Sequence, residues 1–159
     1  MKKKGGVFAL YKLFEKICLK SFHFLSDEFG FKHVKTETDI YSCVITYKNK
    51  TTAIEISLEQ YNMPGVWVLI YRLIDGEIPE YAAVTRPETV INSFYLPDIV
   101  SLRSSSSISD KEIKDILHPK RKELEVVLEK YAKSLKKYAP DILQGDFKIF
   151  PQLEKIVKK

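Results

Sequence analysis

The stretch Thr52-Ala53-Ile54-Glu55-Ile56-Ser57-Leu58-Glu59-Gln60 alternates almost without a break. Ile54, Ile56 and Leu58 fall to one side, and Glu55, Ser57 and Glu59 fall to the other. Successive side chains of an extended chain point to opposite faces, so a period of two marks a strand with one dry face and one wet face. Such half-wet strands belong to antiparallel sheets. Upstream, Tyr41, Cys43, Ile45 and Tyr47 alternate with Ser42, Val44, Thr46 and Lys48. Between the two runs, Asn49-Lys50 suits a tight hairpin turn, because Asn tolerates positive φ. Phe31–Thr38 supplies a first strand. Downstream, the turn cluster Asn62-Met63-Pro64-Gly65 leads into Val66–Ile74, which is apolar on both faces and so predicts a strand that sits centrally or is covered on both sides. Asp75-Gly76 forms another turn, and Pro79 confines any next short strand to an edge. The expectation is an antiparallel meander of four to five strands.

Helical periodicity flanks this meander. From Val7 to Phe29, Leu10, Leu13, Phe14, Ile17, Cys18, Phe24 and Leu25 recur at spacings of three and four, and Gly30 follows where a left-handed cap belongs. Residues 83–108 read as a long connection with a short helix at Glu88–Phe94. Ser109-x-x-Glu112 has the form of a capping box ahead of Ile113, Ile116 and Leu117. After Pro119 the stripe Leu124, Val127, Leu128, Tyr131, Leu135 and Tyr138 predicts a core-facing helix over Glu123–Ala139. Asp141–Gln144 adds a turn stopped by Gly145. Pro151 opens a last helix carrying Leu153, Ile156 and Val157. The order helix, strands, helices predicts a single α+β domain over residues 1–159, its sheet packed against an N-terminal helix and C-terminal helices.

The chain has 159 residues, enough to bury a core without staples. Cys18 and Cys43 stand in apolar surroundings with no CxxC spacing and read as buried thiols of a reducing compartment. The basic start and Val7-Phe8-Ala9-Leu10 resemble the opening of a signal peptide, but Lys12, Glu15, Lys16 and Lys20 interrupt the apolar run. No stretch has the length of a membrane span. The expected location is cytoplasmic. Net charge is +5. It is unevenly distributed, with +5 over residues 1–25 (six Lys, one Glu), −5 over 26–110 (seven basic, twelve acidic) and +5 over 111–159 (thirteen basic, eight acidic).

Motif chemistry is missing. His23, His33 and His118 have no metal-ligand spacing, no phosphate-binding glycine loop occurs, and Ser104–Ser107 lacks a nucleophile-elbow context. Catalytic, cofactor and metal residues are therefore expected to be none. Glu55 and Glu59, about 13 Å apart along a strand, are too far apart for a glycosidase pair. Lysines interleaved with acids in the last fifty residues give no pattern for specific nucleic-acid recognition.

Three segments carry a resemblance: Phe24-Leu25-Ser26-Asp27-Glu28-Phe29-Gly30-Phe31, Tyr47-Lys48-Asn49, and Gly145-Asp146-Phe147-Lys148-Ile149-Phe150-Pro151. In these the chain resembles a loose class of small bacterial proteins, some of them immunity proteins for secreted toxins. The resemblance implies binding without catalysis, with a cognate toxin masked at its active site, and it carries over no functional residue. Beside it, the residues themselves nominate a partner surface. Glu55 and Glu59 would present negative charge to a basic protein partner, and Trp67 and Tyr71 would anchor an interface if they are not core rings. The alternatives are a small enzyme assembling Glu55, Arg72 and His33, or a nucleic-acid accessory protein using the lysine-rich helices.

Overall fold

A computed structural model describes residues 4–61, 64–80, 86–104 and 121–158. The first helix, α1 (Lys4–Ser21), leads into the short α2 (Phe24–Phe29), and Gly30 caps α2 with φ 70°. Four strands follow: β1 (Lys32–Thr38), β2 (Ser42–Lys48), β3 (Thr52–Glu59) and β4 (Gly65–Arg72). A fifth, β5 (Ser93–Tyr95), runs directly into α3 (Leu96–Ser104). A 3-10 turn at Arg121–Glu123 precedes α4 (Leu124–Tyr138), α5 (Pro140–Leu143) and α6 (Phe150–Val157). The sheet is an antiparallel meander in the order β1-β2-β3-β4-β5, so the fold is α+β, as its order of elements predicts.

One sheet face is dry. Cys43, Ile45 and Tyr47 of β2, Ile54, Ile56 and Leu58 of β3, and Val66, Val68 and Ile70 of β4 are all buried. Against them lie Tyr11, Phe14 and Cys18 of α1, then Phe22 and Leu25, with Leu128, Tyr131 and Leu135 of α4. The Tyr131 hydroxyl donates to the Val66 carbonyl at 3.0 Å and ties α4 to β4. Arg103 of α3 grips the Asp141 carboxylate through both terminal nitrogens, at 2.7 and 2.6 Å, joining α3 to α5.

Several expectations need correction. The helix over Val7–Phe29 is two helices, because the chain tightens to three-residue hydrogen bonds at Leu25 N–Phe22 O and Ser26 N–His23 O. The aromatic-rich Phe22-His23-Phe24 has modest helix propensity, and the turn lets Phe22 and Leu25 both enter the core. Glu88–Phe94 is not helical; its end starts β5, and Pro97 occupies the first turn of α3, where its missing N–H has no cost. Among the described residues no strand forms around Pro79. Asp75 and Gly76, at φ 52° and 78°, close only the isolated bridge Ile74–Glu77. Asn49 does not adopt positive φ. Its side chain builds the turn instead, with Oδ1 accepting from the backbone N–H groups of Thr51 (3.0 Å) and Thr52 (2.9 Å). β4 sits inside the sheet between β3 and β5, and on its second face Trp67, Leu69 and Tyr71 are half-buried. On α6, Leu153 is buried while Ile156 and Val157 are exposed. The capping box at Ser109-x-x-Glu112 and the apolar residues after it lie outside the described residues.

The edge strand β1 is almost wholly exposed. It slips register between His33 and Lys35, and Lys32 and Lys35 stand on it.

Candidate functional site

The alternation that buries Ile54, Ile56 and Leu58 turns Glu55, Ser57 and Glu59 to the opposite, open face. Register then sets their neighbours. Glu55 faces Thr46 of β2 and Leu69 of β4, and Leu69 faces Tyr95 of β5. Ser57 faces Val44 and Trp67. Glu55, Glu59, Trp67 and Tyr71, the four residues nominated from sequence, therefore share one face of the sheet. The Tyr71 hydroxyl donates to Glu55 Oε1 at 2.9 Å, a diagonal cross-strand contact that holds both side chains in place.

Among these side chains is a hollow of about 310 Å³ lined by Glu55, Glu59, Trp67 and Tyr95. Tyr61 and the smaller Val44, Ser57 and Leu69 complete it. The Trp67 and Tyr95 rings meet edge to face with centroids 5.5 Å apart, and Tyr61 packs the same way on Tyr41 at 5.1 Å. A smaller hollow of about 150 Å³ adjoins it through the shared Leu69 and Tyr95, and reaches Tyr71, Asn92 and Asp98.

The electrostatics of the larger hollow are one-sided. Burial first, and the charge of Asp39 second, raise the Glu59 carboxyl above the usual glutamate range. Among the described residues Glu59 has no ion-pair partner, and no Lys, Arg or His lines the hollow. Of the nearby lysines, Lys35 pairs with Glu37 at 2.8 Å and also interacts with the Glu55 charge, and Lys48 pairs with Glu77 at 3.5 Å. Beside Glu55, Thr46 is fully buried although it lies on the open face, and its hydroxyl has no hydrogen-bond partner among the described residues. In the adjoining hollow, burial also raises the Asp98 carboxyl.

The trio Glu55, Arg72 and His33 does not come together. His33 pairs with Tyr47, its ring 5.6 Å from the tyrosine ring on the helix side of the sheet, and it hydrogen-bonds Thr36 at 2.7 Å. Arg72 pairs with Thr52 and bonds Asn92, with its guanidinium 5.4 Å from the Phe150 ring centre, again on the helix side. The sheet itself separates both from Glu55. His23 bonds Asp27 at 2.8 Å on the surface, while His118 lies outside the described residues. Among the described residues no group of His, Cys, Asp and Glu could hold a metal ion, and no helix is long and apolar enough to cross a membrane. Cys18 and Cys43 are free thiols within the core, and burial pushes both well up. The lysines of α4 alternate with Glu125 and Glu129, and Lys136 reaches Glu28 at 2.7 Å.

No family model, curated protein or solved structure matches this chain. The case for a site therefore rests on its own geometry. Sequence reasoning missed Tyr61 and Tyr95. Tyr61 keeps the parity of Glu55, Ser57 and Glu59, so extending the alternation by two residues would have placed it on the open face. Tyr95 belongs to a three-residue strand, too short for a period to register.

Proposed function

We propose that this chain is a non-enzymatic protein-binding module whose open sheet face engages a basic protein partner. The observation that carries the reading is the placement of Glu55, Glu59, Trp67 and Tyr71 on one face, around a shallow aromatic and acidic hollow. Aromatic anchors beside charge of one sign are the usual ingredients of a protein interface, where rings supply affinity and charge supplies steering. The open shape suits a contact surface better than an enclosed substrate pocket. Separation of Glu55 from His33 and Arg72 by the sheet weighs against an enzyme built from those residues. Within this reading, inhibition of a basic toxin is the form suggested by the resemblance to immunity proteins.

The test is capture from source-cell extract with wild type, with Glu55→Lys/Glu59→Lys, and with the helix-side control Lys133→Glu. A protein retained by wild type and by the control, but reduced about tenfold or more by the double charge reversal, is the expected result. Retention undiminished by the double variant, at matched melting temperatures, would move the interface off this face.

A further inference from the structure

We propose that the 310 Å³ hollow receives a single arginine side chain from the partner protein, its guanidinium laid against the Trp67 and Tyr95 rings and facing the Glu55 and Glu59 carboxylates. This rests on the open face being the partner-binding face. The sign of the ligand follows from the lining, where two carboxylates stand with no lysine, arginine or histidine among the described residues. Glu59 is half-buried with no ion-pair partner there, and Asp39 adds to its local negative field. That field belongs to the segment carrying −5, within a chain whose net charge is +5. A basic partner repelled by both ends of the chain is thus oriented toward this face.

The rings narrow the choice of cation. An ammonium is compact and strongly hydrated, whereas a guanidinium is planar, weakly hydrated and stacks on aromatic faces while its edge donates to a carboxylate. The edge-to-face Trp67–Tyr95 and Tyr41–Tyr61 pairs brace the walls, so little ring ordering remains for binding to impose. Tyr71 has the same effect on Glu55, bonding Oε1 and leaving Oε2 uncommitted by that bond. The volume is at the low end for a ligand site, suited to one side-chain tip rather than a drug-sized molecule. Of the chain's four arginines, Arg72 and Arg103 are held by Asn92 and Asp141, and neither Arg86 nor Arg121 lines the hollow.

Trp67 is the only tryptophan in the chain, so its emission reports directly on the hollow. The probes are n-butylguanidinium, n-butylammonium and neutral n-butylurea, each titrated to about 20 mM, roughly twentyfold above a millimolar Kd. The expected result is a saturable shift of Trp67 emission, and of its indole N–H resonance, with butylguanidinium alone. Glu55→Gln and Glu59→Gln should each weaken that response about threefold or more. An equal response to butylurea, or no saturation with any probe, overturns the proposal, and tighter binding of butylammonium overturns the choice of arginine. Sedimentation across protein concentration gives a further arm. Self-association abolished by Glu59→Gln would make a second copy the occupant and overturn the assignment to a partner. The two readings fail separately, since capture lost in the double charge-reversal variant without any butylguanidinium response leaves the interface standing and removes only the arginine site.

Discussion

At Asn49 one amide does the work of a small network. Its Nδ2 donates to the carbonyl of Phe29 at 3.1 Å and to that of Leu143 at 3.0 Å, while Oδ1 collects the Thr51 and Thr52 amides. The β2–β3 turn is thereby fastened to the ends of α2 and α5. Asn49→Ala strips partners from partly buried groups and should cost about 2–4 kcal/mol in urea unfolding, while Asn49→Asp, which keeps the acceptor and loses the donor, should also destabilise. A change below about 0.5 kcal/mol in either variant would mean that water replaces the amide freely. Thr46 presents the opposite case. Its hydroxyl is buried without a partner among the described residues, so the near-isosteric Thr46→Val should be neutral or stabilising by up to about 1 kcal/mol. A clear loss of stability would show that the hydroxyl is bonded after all. The role of Thr46 was not readable from its type, because threonine is equally at home on a wet strand face.

Among the elements, α4 is where periodicity and packing agree best. Leu124, Val127, Leu128, Tyr131 and Leu135 are buried as their spacing predicts, and α1 and α3 both pack against this helix. Leu128→Asp should unfold the protein or cost about 4 kcal/mol or more, since it places an unpaired charge at a fully buried position. A melting temperature matching wild type would contradict that placement. The β2 and β3 strands were legible for the same reason, as one buried and one open face print a period of two on the sequence. Legibility failed where local pattern is too short or tertiary packing decides. Ser93-Phe94-Tyr95 becomes a strand only because β4 offers it an edge. The break in the first helix is set by core packing of Phe22 and Leu25, which propensity alone does not locate. Trp67 and Tyr71 read equally well as core or as surface, because a doubly apolar strand does not state whether a second layer exists.

Across the whole molecule, two shifted carboxylates pull the pH dependence of stability in opposite directions. Glu59 is raised by burial and by Asp39, so its ionisation penalises the fold above its own pKa, and the penalty is relieved as pH falls through that value. Glu59→Gln should therefore melt higher than wild type at neutral pH, with the gap closing in acid. Asp141 is lowered chiefly by its hydrogen bond to Arg103, so its contribution is present above the ordinary aspartate range and is lost as pH falls through its lowered value. Asp141→Asn should melt lower at neutral pH and converge with wild type in acid; gaps that do not close would assign either effect to packing. The margins of the sheet bear on recognition in another way. β1 ends it with a register slip and lysines, and β5 ends it after three residues. Slips, lysines and brevity each make a poor template for an incoming strand. On the proposed reading, a partner refused at both margins would read this protein through side chains rather than through the peptide backbone. Backbone pairing tolerates almost any residue, but a vocabulary of side chains changes meaning with every substitution. If the face binds as proposed, it could thus exchange one partner for another by a few point changes, while the scaffold beneath it stays the same.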